Sequence, residues 1–128
     1  ILVVALPLTR QTRDLIGKRE LGLMKPEAIL VNVARAAIID EGALYQHLRE
    51  HPEFTAAIDV WWHEPFEHGD FRTDFPFFEL PNFLGSPHNS AFVPGVELEG
   101  IRRAAENVLR YLEGQPIAGV VRRDDYQE

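Results

Sequence analysis

The stretch Ile29-Leu30-Val31-Asn32-Val33-Ala34-Arg35-Ala36-Ala37-Ile38-Ile39-Asp40 constrains the chain more than any other. A short apolar run this rich in branched residues reads as a strand buried on both faces, the pattern of a parallel sheet. Two polar side chains, Asn32 and Arg35, emerge where the strand ends. Asp40 then stands at a helix N-cap position, ahead of Glu41-Gly42-Ala43-Leu44-Tyr45. In open α/β sheets ligands bind beyond the carboxyl ends of the strands, so Arg35 is a candidate partner for a carboxylate. On these residues alone, an arginine that ties the loop down through an ion pair is an equal reading.

Three further runs repeat the strand pattern: Ile1 to Leu6, Phe54 to Val60, and Asn82 to Gly85. Helical periodicity separates them, over Lys18 to Met24 and over Asp40 to His51, the latter with Ala43, Leu44 and Leu48 facing inward. Alternation of this kind predicts a parallel α/β sheet. A long helix from Val93 to Glu113, closed by Gly114, is expected to turn Val96, Ile101, Ala104, Ala105, Val108 and Leu112 inward. The tail from Gln115 is polar and expected to fray beyond Val121. Trp61 to Pro81 is too long and too aromatic for a plain connection, which marks a functional loop. Its Trp61 and Trp62 either shield a cofactor ring or anchor the loop by packing.

Composition removes whole classes of chemistry. The 128 residues contain no cysteine, so disulfides, thiolate nucleophiles and thiolate-bound metals are excluded. A net charge of −7 without a basic cluster argues against nucleic acid as a partner. No apolar run reaches the length of a membrane span. A cytoplasmic protein is expected. The chain opens directly in a strand without an initiator methionine and reads as a piece of a longer one.

Parallel strands deliver their C-terminal ends to one edge, so Arg35, Asp59 with Glu64, and His88 are expected there together. A carboxylate beside a histidine fixes its tautomer and favours its protonated form, which suits general acid–base work. An arginine beside that pair can hold an α-keto or α-hydroxy carboxylate, so the combination suits hydride transfer coupled to proton transfer. The competing reading is a structural ion-pair network at the sheet rim. The i, i+4 pair His47 and His51 is read as an exposed helix face. His63-Glu64-Pro65-Phe66-Glu67-His68 superficially matches a zinc-protease helix, but it is one residue too long and Pro65 breaks the helix, so no metal is expected.

The ordered series Leu6-Pro7-Leu8-Thr9, Met24-Lys25-Pro26, Val31-Asn32-Val33-Ala34-Arg35, Ile39-Asp40-Glu41-Gly42-Ala43-Leu44, Asp59-Val60-Trp61-Trp62-His63-Glu64-Pro65 and Ser86-Pro87-His88 resembles the D-isomer-specific 2-hydroxyacid dehydrogenases over nearly the whole chain. The resemblance implies the C-terminal half of a Rossmann-type doubly wound parallel sheet over residues 1–92. Residues 93–128 would form a long C-terminal helix and tail directed toward a substrate domain. It implies that Arg35 binds the substrate carboxylate, that His88 is the acid/base, and that Glu64 holds His88. It also implies that Leu6, Val33, Ala34, Arg35, Asp59, His88, Asn89, Ser90 and Ala91 line NAD or NADP, with Asp59 at the nicotinamide. The substrate would be a small 2-keto or 2-hydroxy acid, and the full-length protein a homodimer. Glu64 stands where the formate dehydrogenase branch carries glutamine. A transcriptional-corepressor-like relative that only senses the dinucleotide is the alternative, and a truncated scaffolding product a third.

Two departures from the family pattern stand out. Ala36 occupies a position where glycine is usual, and no G-x-G-x-x-G phosphate loop occurs in these residues. An inactive, marginally stable fragment is therefore expected of the 128 residues alone.

Overall fold

In the computed structural model, residues 1–65 and 69–120 are described. They form two compact units, one spanning Ile1–Ser90 and one beginning at Ala91. The expected fraying beyond Val121 and the His68 end of the zinc-protease-like motif lie outside these residues.

The first unit is a four-stranded parallel sheet in the order β1 (Leu2–Val4), β2 (Ile29–Asn32), β3 (Thr55–Ile58), β4 (Phe83–Gly85). The strands are shorter than the apolar runs that mark them. Leu6, for instance, falls beyond β1, in the segment leading to Pro7. Pairing fixes the register: Val4, Asn32, Ile58 and Gly85 lie in one row across the sheet. Whatever follows these four positions therefore leaves from the same edge, which places the side chains that could do chemistry.

Helix α1 (Lys18–Leu21) and helix α2 (Glu41–Glu50) pack on the sheet. Helix α2 starts where the sequence predicts, because Asp40 Oδ1 accepts the backbone N–H of Ala43 at 2.6 Å. Leu44 and Leu48 face inward with Leu30, Ile38, Ile39, Phe54, Ile58 and Phe77, all essentially inaccessible. Each such large side chain contributes about 1.5–3 kcal/mol on burial. A buried amide closes the bottom of this core: Asn82 Nδ2 donates to the carbonyls of Leu48, His51 and Phe54 at 2.7–3.2 Å.

Two expectations fail here for physical reasons. His47 is not on an exposed face, being only 9% accessible. Its ring is stacked on His51 at 4.1 Å and met edge-on by Phe54, a residue that follows the helix-ending Pro52. The long helix of the second unit, α3 (Val96–Leu112), buries none of its residues, so Val96, Ile101, Ala104, Ala105, Val108 and Leu112 do not face inward. Its apolar stripe is real in the sequence, but none of the described residues of the unit buries it. Gly114, at φ +68, closes the helix as expected, with the N–H of Gln115 reaching the Arg110 carbonyl at 2.8 Å. Asn107 then pairs with both backbone groups of Ala118, folding the following segment back along the helix.

The described residues between Trp61 and Pro81 form a packed aromatic layer. The Trp61 indole N–H donates to the Ser86 carbonyl at 2.8 Å, and that of Trp62 to the Ile39 carbonyl at 2.9 Å. Trp62 lies parallel to Phe77, and Tyr45 of α2 stacks on Phe75. The Asp74 N–H donates to Glu41 Oε1 at 2.8 Å, tying the layer to the start of α2. Of the two readings of the tryptophans, the loop anchor is the one these contacts support.

Candidate active site

Two ends at this sheet edge carry a buried polar side chain that holds a loop: Asn32 holds the loop after β2, and Asp59, after β3, holds the segment after β4. After β2 the device is Asn32, which is fully buried. Its Nδ2 donates to the Arg35 carbonyl and its Oδ1 accepts the Ala34 N–H, both at 3.0 Å. A buried amide satisfied on both sides costs 1–3 kcal/mol to remove, so the Ala34–Arg35 backbone is fixed. Arg35 itself is extended and exposed, and its guanidinium touches only the Ala34 carbonyl, at 2.7 Å. No carboxylate ties it down among the described residues. Ala36 opens a 3₁₀ turn with its methyl enclosed by this chain's own atoms.

After β3 the device is Asp59, 4% accessible. Its Oδ1 accepts the Ser86 hydroxyl at 2.5 Å and the Asn89 N–H at 3.0 Å, and its Oδ2 accepts the Ser90 N–H at 3.0 Å. Burial pushes this carboxyl up, but the Ser86 and Ser90 hydroxyls and the two backbone N–H groups outweigh it and hold it down at about 2. Asp59 is thus an anion at neutral pH that organises the whole 86–90 segment. Sequence reading placed Asp59 at the edge but missed this inward role and the part of Ser86. The Ser86-Pro87-His88 run directly follows the predicted strand Asn82 to Gly85 and held no separate signal for it.

That segment carries His88 at φ +53, a left-handed conformation that costs about 1–2 kcal/mol outside glycine. The Asp59 bonds on the two residues that follow hold the turn there. His88 Nδ1 lies 2.9 Å from Glu64 Oε2, while Glu64 Oε1 accepts the Trp61 backbone N–H at 2.9 Å. Both carboxylate oxygens are therefore oriented. With a carboxylate accepting at Nδ1, Nε2 is the ring atom that gains and loses a proton. The pair is half-withdrawn from solvent, with 29% of the His88 side chain and 17% of that of Glu64 accessible. This is the orientation a general acid/base needs.

The structure thus brings Glu64, His88 and the Asp59–Asn89–Ser90 clamp together and sets Arg35 on the neighbouring strand end. Leu6 and Ala34 are half-buried and Val33 is 41% accessible, leaving an apolar surface at the C-terminal ends of β1 and β2. Ala91 begins the second unit. Among the described residues no group of three His, Asp or Glu is placed to hold a metal ion.

Comparison with known proteins bears on the fold and the family. Residues 1–90 match the model of the D-isomer specific 2-hydroxyacid dehydrogenase NAD binding domain. The chain is 40% identical over 124 residues to a glyoxylate reductase of Aeropyrum pernix, covering 97% of this chain and 36% of that protein. It superposes with a TM-score of 0.79 and 31% identity on a D-isomer specific 2-hydroxyacid dehydrogenase of Xanthobacter autotrophicus crystallised with NADPH and MES, covering 97% of this chain and 49% of the other. A D-lactate dehydrogenase of Lactobacillus jensenii solved with NAD+ gives 0.73 and 28%, with coverages of 94% and 39%. The chain spans about a third of the length of the glyoxylate reductase it matches. With its parallel sheet, its strand-end arginine and its Glu64–His88 pair, the chain belongs to the D-isomer-specific 2-hydroxyacid dehydrogenase family, whose NAD-binding domain its first 90 residues match.

Proposed function

We propose that the protein carrying this chain is an oxidoreductase that interconverts a small 2-keto acid and its 2-hydroxy acid. The observation that carries the reading is the oriented Glu64–His88 pair at 2.9 Å, on the same sheet edge as an arginine that meets no carboxylate among the described residues. When bound, NAD or NADP supplies or accepts the hydride at C2 of the substrate. Arg35 holds the substrate carboxylate through its planar fork. His88 Nε2 gives its proton to the carbonyl oxygen as that oxygen gains charge, and takes it back in the reverse direction. Glu64 stabilises the imidazolium and keeps Nε2 pointed outward.

The residues present fit the nicotinamide end of such a cofactor. Leu6, Val33 and Ala34 offer an apolar surface for a flat ring, at the sheet edge that also carries Arg35, His88, Asn89 and Ser90. Asp59 contributes from beneath, since its oxygens already accept bonds from Ser86, Asn89 and Ser90. A homodimer in the cytoplasm belongs to the same proposal and is checked by light scattering and fractionation.

The test is oxidation of NADH and NADPH by the full-length protein with glyoxylate, hydroxypyruvate, pyruvate and phosphohydroxypyruvate. Saturable turnover with at least one acid is expected. Arg35→Gln should then lower kcat/KM by about 10–100-fold, the worth of a hydrogen-bonded charge pair. Silence across the panel while the dinucleotide still binds would overturn the redox reading.

A further inference from the structure

Next to the Glu64–His88 pair, but sharing none of its side chains, lies a cleft of about 450 Å³. That is within the range of small-molecule sites, roughly 300–1,000 Å³. Its surface is aromatic. Trp61 is buried at its base, Phe78 stacks on Trp61 with ring centres 5.4 Å apart, and Phe71 meets Trp61 edge-on at 6.4 Å. Phe71 and Phe78 are both exposed, Phe78 at 69%. Gly85 allows this arrangement: a Cβ there would fall 2.7 Å from Trp61 Cη2 and 2.8 Å from Phe78 Cε1.

Arg72 and Thr73 also line the cleft. The Arg72 backbone N–H donates to the His63 carbonyl at 3.2 Å, which fixes the position of the residue. Its guanidinium forms no ion pair among the described residues, in a chain whose net charge is −7. An unpaired cation beside exposed aromatic rings is complementary to a ligand with a flat apolar body and one negative charge.

We propose that this cleft binds a small aromatic carboxylate, with its ring against Trp61 and Phe78 and its carboxylate on Arg72. The site stands apart from the redox reading, since none of Arg35, Glu64 and His88 lines it. It is also placed to act on that pair. Trp61 donates its backbone N–H to Glu64 and its indole N–H to the Ser86 carbonyl, so a ligand that shifts Trp61 moves the supports of His88.

The experiment is titration of the full-length protein that carries this chain with phenylacetate and with its neutral analogue phenylacetamide, read on the indole N–H resonances of Trp61 and Trp62. Trp62, held on the Ile39 carbonyl, is the internal reference. A saturable displacement of the Trp61 signal with a Kd below about 1 mM is expected for phenylacetate. Binding should weaken by about tenfold or more in Arg72→Gln, for phenylacetamide, and in Phe78→Ala. Arg72 and Phe78 are both exposed, so these variants should keep the remaining spectrum. Failure to saturate, equal affinity for the amide, or unchanged affinity in Arg72→Gln would overturn the proposal. Because the readout needs neither dinucleotide nor turnover, its failure leaves the oxidoreductase reading to its own test.

Discussion

Replacing Asp59 by Asn keeps its size and shape and removes its charge, so it isolates what the anion does for the 86–90 segment. In the folded chain this carboxyl sits at about 2, against 3.8 for the free side chain. Each unit of difference is worth 1.36 kcal/mol, so the folded state gains on the order of 2 kcal/mol from the ionised form. Part of the loss in the variant would come from an amide NH₂ facing donors that now lack an acceptor: the Ser86 hydroxyl and the Asn89 and Ser90 N–H groups. The sign follows from the depressed value. The contribution is fully present above pH 3.8 and is lost as pH falls through about 2. Urea unfolding followed by tryptophan fluorescence, repeated from pH 7 to pH 2.5, measures it. Wild type should exceed Asp59→Asn by about 2 kcal/mol from pH 7 to pH 5, and the gap should narrow steadily below about pH 4. A gap that stays constant down to pH 2.5, or one under about 0.5 kcal/mol at pH 7, would refute the clamp.

Four other outcomes follow from the same structure. Asn32→Ala should cost about 1–3 kcal/mol in urea unfolding, because the Ala34 N–H and the Arg35 carbonyl lose the buried amide that pairs with both. Asp40→Ala should cost about 1 kcal/mol, the usual worth of an N-cap acceptor, and Asp40→Asn much less. Gly85→Ala should destabilise by about 1–3 kcal/mol and shift tryptophan emission, since its methyl would overlap Trp61 and Phe78. Among the described residues the buried His47 Nε2 has no hydrogen-bond partner, and burial followed by the neighbouring His51 charge lowers its tendency to protonate. The unfolded chain therefore binds the extra proton, and stability falls as pH drops through about 6.5. His47→Leu should flatten the unfolding free energy between pH 7 and pH 5.5, and a slope equal to that of wild type would contradict this.

What could be read from the residues beforehand was the part written in local patterns. Short apolar runs, the Asp40 cap and Gly114 placed the strands and helices, and a parallel sheet sends Arg35, Asp59 and His88 to one edge. The pairing of His88 with Glu64 rested on the ordered motif series, because no local rule joins residues 24 positions apart. The rest depended on tertiary neighbours. His47 looks like a surface residue until Phe54, beyond Pro52, covers its ring. Helix α3 has a periodic apolar stripe, and periodicity states which face is apolar without stating what lies against it. Asp59 reads as an acid at the mouth of a site, and only the return of residues 86–90 turns it into an internal acceptor. The tryptophans were legible as apolar mass, but their indole bonds to Ser86 and Ile39 are long-range.

The central claim is that His88, held by Glu64, moves the proton in a 2-keto acid reduction. Its most direct test is kcat/KM for reduction of the best 2-keto acid by the full-length protein, compared between wild type and His88→Ala, with dinucleotide affinity measured in parallel. The account predicts a loss of about 10²–10⁴-fold in His88→Ala with dinucleotide binding largely retained. Equal kcat/KM in the two proteins would contradict it.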